Sequence, residues 1–233
     1  MKPDTDSLII YEDPHIIVCH KPAGIPTQSS RIGTPDMVSL LKSGLSGRTG
    51  RANPYLAVIH RLDQPVEGLL VFAKTPAAAK GLNRQLTSGG FGKHYHALVF
   101  GVPDPADGIL EDYLVKDGRT NTSRICTKYT PGARLARLHY QVVRIYKDRS
   151  PVTSLVDICL DTGRHHQIRV QMAHLGCPLV GDRKYGGTSP EKEPARESGY
   201  SHLGLCAYRL RFAHPVSGQE MVFEREIRLP HEK

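Results

Sequence analysis

The chain has 233 residues, with 31 Lys and Arg against 23 Asp and Glu, 12 His, no Trp and a formal charge of +8. An apolar share of 39% over that length builds a sizeable core and excludes a disordered chain. No run approaches the roughly 18 apolar residues of a membrane helix and the start MKPDTDSLII has no signal-peptide apolar stretch, so a cytoplasmic protein is expected, and its basic balance favours a polyanionic partner.

Leu8 to Tyr11 and Ile16 to Cys19 read as strands, split by the turn-forming Asp13-Pro14 and closed by Lys21-Pro22-Ala23-Gly24. Lys42 to Asn53, KSGLSGRTGRAN, mixes basic residues with glycines and has no apolar period, so it reads as an exposed basic loop. Gly68 to Ala73, GLLVFA, has the length and continuity of a strand buried on both faces. It feeds a helix with Thr75 as N-cap, Pro76 in the first turn, Ala77 to Leu86 as body and Gly89-Gly90 as stop. His94 to Phe100 is the next strand, and Val156, Ile158 and Leu160 alternate with polar residues as a half-buried strand does. Ile168, Met172 and Leu175 predict a second helix, ended by Gly176 and Pro178. Lys184 to Ser201 reads as a surface loop, and strands near Cys206 to Phe212 and Glu220 to Ile227 flank the turn Val216-Ser217-Gly218. With no repeat and no shift of composition, residues 1–233 are expected to form one α+β domain. Cys19, Cys126, Cys159, Cys177 and Cys206 include no C-x-x-C pair, which excludes a disulfide framework and a zinc ribbon.

Two segments carry candidate chemistry. In Ile59-His60-Arg61-Leu62-Asp63-Gln64-Pro65 an imidazole, a guanidinium and a carboxylate precede the buried run. The carboxylate suits a nucleophile or base, and equally a turn cap or ion pair. Thr162 to Arg169 opens the second helix, where main-chain N–H groups favour anions and Arg164 and Arg169 add positive charge. A phosphate or carboxylate fits there, and so does a structural ion pair of Arg169. His94 and His96 share a strand face, but no further ligand spacing completes a metal set. Walker-type, dinucleotide-binding and G-x-S-x-G motifs are missing, so no metal and no nucleotide cofactor is expected.

Five blocks in fixed order resemble the RluA-type pseudouridine synthases: IIYEDPHIIVCHKPAGIPT, HRLDQPVEGLLVFAKT, KHYHALVFG, TGRHHQIRVQMAHLGCPLVGDRKYG and AYRLRFAHPVSG. The resemblance implies a mixed, largely antiparallel central sheet flanked by helices and a cofactor-free isomerase of uridines in rRNA or tRNA. By position it implies that Asp63 is the catalytic carboxylate, that Tyr95 packs on the target base and that Arg169 pairs with Asp63. Arg61 would enter the duplex in place of the flipped base, with His60, Arg164, His166 and Gln167 also toward RNA. These types suit the reaction, because a guanidinium favours an ionised carboxylate and an aromatic ring can hold a loosened uracil. Attack by Asp63 at the sugar, attack at the ring and proton removal at the ribose are all compatible with them.

Departures from the family pattern are Gln64-Pro65-Val66-Glu67 after the carboxylate, His20 before Lys21, Gln171 in the second helix and Cys206 before Ala207. The Gln64 to Glu67 stretch motivates a rival reading as a non-catalytic RNA-binding protein, and the His residues a third as a metal-dependent RNA hydrolase. The family blocks begin close to Met1, so no separate RNA-binding domain is expected in front. No heptad or apolar stripe calls for an obligate partner, and a monomer is expected.

Overall fold

Asp13 turns the chain as its short acceptor side chain dictates. Its Oδ1 accepts from the main-chain N–H of His15 at 2.6 Å and of Ile16 at 2.8 Å, folding β1 (Ile9–Glu12) back on β2 (Ile16–Lys21). The structure is a computed structural model that describes residues 5–30, 33–148, 150–186 and 202–226. Around that hairpin the first elements are α1 (Thr5–Leu8), α2 (Met37–Thr49), β3 (Ala57–Val58), β4 (Glu67–Ala73) and α3 (Pro76–Ser88). Then follow β5 (Gly92–Phe100), β6 (Asp107–Asp117), β7 (Thr122–Cys126), β8 (Arg134–Tyr146), β9 (Thr153–Leu160), α4 (Gln167–His174), β10 (Leu205–Ala213) and β11 (Glu220–Glu224). This is the α+β class that the turn-separated apolar runs predict. Among the described residues no helix is long and apolar enough to cross a membrane.

The chain forms two compact units. The first comprises the described residues of Met1–Lys93 and Ala207–Ile227, with strands in the order β1-β2-β4-β10-β11 and β3 beside β4. Strand β4 is buried from Gly68 onward, as its apolar run predicts. Ala78, Ala79 and Leu82 of α3 cover Ile16, Val18, Leu69, Val71, Phe91, Leu210 and Phe212. Thr75 caps α3 by accepting from Ala78 N–H at 3.1 Å, and Gly89 ends it at φ +79°. Gly68, at φ +140°, passes Ala207 so closely that a Cβ would lie 2.6 Å from its main-chain nitrogen. Gly68→Ala is therefore expected to cost about 1–3 kcal/mol or more, read as a lower midpoint in urea unfolding.

The segment read as an exposed loop from Lys42 to Asn53 is helical as far as Thr49. Its start lies upstream, where Asp36 and Ser39 form a reciprocal capping box at 2.7 and 3.0 Å. The apolar period that drives burial, Met37, Leu40, Leu41 and Leu45, straddles the glycine-rich window, so the window alone hid it. Gly44 admits Thr5, whose Cγ2 would lie 2.9 Å from a Cβ there. Leu8 closes α1 instead of opening a strand, because the strand begins at Ile9.

The second unit comprises the described residues of His94–Cys206, with strands in the order β5-β9-β8-β6-β7, each neighbouring pair antiparallel. Hairpin β6–β7 has no counterpart among the predicted strands. Helix α4 lies on this sheet through Val170, which packs on Leu114 of β6 and Ala136 of β8. The expected loop from Lys184 to Ser201 lies outside the described residues from position 187 onward, as does Ile227 of the last predicted strand. All five cysteines are free thiols.

Candidate active site

Asp63 stands in a segment whose main chain is fixed on both sides. Before it, the N–H of Leu62 donates to Thr27 Oγ1 at 3.1 Å, and that hydroxyl donates back to the Leu62 carbonyl at 3.0 Å. After it, the Gln64 carbonyl accepts from Gly24 N–H at 2.9 Å and from the Lys21 ammonium at 3.1 Å. The Gln64 side chain donates to the Gly24 carbonyl at 2.9 Å. The turn Lys21-Pro22-Ala23-Gly24 thus clamps the acidic segment, and the Asp63 side chain is left partly exposed between the two anchors.

Lys21 is fully buried, and its ammonium also donates to the carbonyls of Pro22 at 2.9 Å and Ile25 at 2.6 Å. Burial pushes its pKa down to about 8, while the charges of Asp63 and Glu67 act the other way. It therefore remains largely charged at neutral pH, a fixed cation beside the candidate carboxylate. Two of the departures meet in this region: His20 Nε2 lies 2.8 Å from Glu67 Oε1, and that bond holds the Glu67 carboxyl below its usual range. Glu67 thereby keeps its negative charge a few residues from Asp63.

His60 and Arg61 belong to the same unit as Asp63. Arg61 is exposed, whereas His60 lies edge-on to Phe91 at 5.3 Å and accepts from Val71 N–H at 3.4 Å. Burial, then Lys93, pushes its pKa down to about 3. Tyr95, Arg164, His166, Gln167 and Arg169 belong to the second unit. Tyr95 is buried on β5, in register with Ile158 of β9. Arg164 is exposed, with its Nε on the Leu135 carbonyl at 2.7 Å. Gln167 is interior: its Oε1 accepts from Arg164 N–H at 3.0 Å and Thr162 Oγ1 at 2.8 Å, and its Nε2 donates to the Arg137 carbonyl at 3.0 Å. His166 is buried as the N-cap of α4 at φ +54°, stacked on His165 with centroids 3.7 Å apart.

Arg169 is buried and makes the ion pair that its alternative reading allowed. Its Nε and Nη2 donate to Asp182 Oδ2 and Oδ1, each at 2.7 Å. Asp182 and the nearby Tyr185 lie inside the quoted GDRKYG block, but their spacing from Arg169 carries no periodic signal that singles them out. Gln171, another departure, donates to Asp112 Oδ2 at 2.7 Å from within the core. Among the described residues no group of three or more His, Cys, Asp or Glu is arranged around a metal position.

The imidazoles of His60 and His166 make folding sensitive to acid. Burial, then Arg169, pushes His166 down to about 2, so both it and His60 stay neutral in the fold while the unfolded chain takes protons near pH 6.5. Their contribution is complete above pH 6.5 and is lost as pH falls below it, at about 1.4 kcal/mol per pH unit for each residue. Urea unfolding at pH 7 and pH 5 is expected to show that loss, and His60→Gln to remove its own share of the slope.

Comparison with known proteins places this geometry in context. Residues 15–174 match the family model described as RNA pseudouridylate synthase. A ribosomal large subunit pseudouridine synthase D of Nitrosomonas europaea is 34% identical over 224 residues, covering 94% of this chain and 61% of that protein. A dual-specificity RNA pseudouridine synthase RluA of Salmonella typhimurium is 34% identical over 218 residues, covering 93% of this chain and 91% of its own. Among solved structures, human RNA pseudouridylate synthase domain containing 4 superposes with a TM-score of 0.73 at 25% identity, over 97% of this chain and 91% of that one. The chain therefore spans less than two thirds of the first relative's length and most of the second's.

Proposed function

The chain belongs to the RNA pseudouridylate synthase family, and we propose that it isomerises chosen uridines of rRNA or tRNA with Asp63 as the catalytic carboxylate. The observation that carries the choice of Asp63 is the clamp on both its neighbours beside the Lys21 ammonium. A carboxylate that must meet one atom of a flipped nucleotide gains most from a fixed main chain, since orientation is a large share of the barrier. Tyr95 packs on the uracil while the glycosidic bond is broken and remade to carbon, and Arg169 supplies the guanidinium of the reaction. Extrusion of the base costs a few kcal/mol. Arg61, exposed two residues before Asp63, fills the space the base leaves, and the exposed Arg164 contacts the phosphate backbone. His166 and Gln167, whose polar atoms face protein partners, serve by shaping the start of α4.

The test is pseudouridine mapping at single-nucleotide resolution on total RNA from cells with and without the gene, with rescue by the intact and the Asp63→Ala forms. A modification that disappears on deletion and returns only with the intact gene is the expected result. An unchanged map, with the protein still bound to RNA, would replace this reading with the non-catalytic one.

A further inference from the structure

We propose that Tyr185 is a positioning residue for Arg169, an inference that rests on the role of Arg169 proposed above. The guanidinium is held on its edge by the two parallel bonds to Asp182, which fix its plane. Its second restraint is the Tyr185 ring, with Arg169 Cζ 5.1 Å from the ring centroid. Asp182 builds both restraints at once. The Oδ1 that accepts from Arg169 also accepts from the main-chain N–H of Lys184 at 2.9 Å and of Tyr185 at 3.2 Å, shaping the turn that presents the ring.

The Tyr185 hydroxyl adds a third link. It accepts from Ser123 N–H of β7 at 2.8 Å and lies 2.7 Å from His166 Nδ1. A main-chain N–H can only donate, so the hydroxyl accepts from Ser123 and still has its own proton and a second lone pair for the hydrogen bond with His166 Nδ1. His166 is the residue from which α4 starts, and its own side chain makes no cap bond to that helix. The hydroxyl thus ties the origin of α4, three residues before Arg169, to the β6–β7 hairpin. Packing alone asks only for an aromatic ring here, because the neighbouring cluster is Leu114, Ala136, Val170 and Ile125. The bonded hydroxyl and the guanidinium on the ring are what specify tyrosine.

Single-turnover release of tritium from uridine C5 tests this, using labelled rRNA and tRNA from cells lacking the gene, with RNA Kd and thermal unfolding measured on the same variants. Tyr185→Phe keeps the ring and loses the hydroxyl, and its rate constant is expected to fall about tenfold; Tyr185→Leu loses both and falls about 10²-fold, the scale of a misplaced catalytic group. RNA Kd stays at the wild-type value in both. Rate constants per active enzyme equal to wild type in the Phe variant, or in the Leu variant, would overturn the inference and leave Tyr185 a packing residue whatever the change in Tm. Arg169→Gln separates the two claims. Loss of rate there without loss at position 185 removes only the Tyr185 inference, whereas a wild-type rate in Arg169→Gln removes the assignment beneath it.

Discussion

Asp63→Asn is expected to lower turnover by about 10⁴-fold or more, as removal of an essential covalent or basic group does, while fold and RNA affinity persist. Asparagine has the shape of aspartate, and the residues on either side of it are held by bonds of their own. Leu62 is held by Thr27, and Gln64 by Gly24 and Lys21. None of these uses the Asp63 carboxylate, so its neutralisation leaves the clamp in place. The side chain is partly exposed, so exchanging it leaves no large cavity. Tritium release from C5-labelled RNA, filter binding to the same RNA and circular dichroism read the three quantities separately. Turnover retained by this variant would reject Asp63 as the reacting group. Loss of secondary structure together with activity would make it a structural residue instead.

How far the sequence foretold this arrangement depends on the range of the signal. Elements governed by local chemistry were legible: the Asp13 turn, the apolar strand β4, and α3 between Thr75 and Gly89. Helix α2 was not, because its capping box and three of its buried residues precede the glycine-rich stretch that resembles a loop. Hairpin β6–β7 was missed for a different reason. Strand β6 alternates between exposed and half-buried residues and fully buries only Leu114, so its apolar positions do not stand out.

The candidate site residues divide in the same way. Asp63, Tyr95 and Arg169 carry recognisable types within quotable motifs, but their supports are long-range. Lys21 looks like an ordinary turn lysine, a type seldom buried, until three carbonyls converge on its ammonium. His20 and Glu67 stood out separately as departures from the family pattern. Only the antiparallel register of β2 with β4 shows them to be one bonded pair.

The second large effect is expected at Asp182. Its side chain is wholly buried and that of Arg169 nearly so, with relative exposures of 0% and 5%. Removing the carboxylate takes both of its charge-assisted bonds from a buried guanidinium, and Asp182→Ala should cost about 3–5 kcal/mol. The N–H groups of Lys184 and Tyr185 lose their acceptor as well. Asp182→Asn separates these contributions, since it keeps an acceptor oxygen for the turn and removes only the negative charge. Urea unfolding is expected to show a lower midpoint with unchanged m in both variants, the Ala form falling further. The Arg169→Met, Asp182→Ala double variant should be more stable than Asp182→Ala alone, because the buried guanidinium that lost its two bonds to the carboxylate is then removed as well. A loss below about 1 kcal/mol in Asp182→Ala, the scale of a solvated surface pair, would mean that water replaces the carboxylate. The guanidinium would then not be held by protein groups as proposed. A large loss recovered in the double variant would show that the fold tolerates losing the pair and that its retention serves the placement of Arg169.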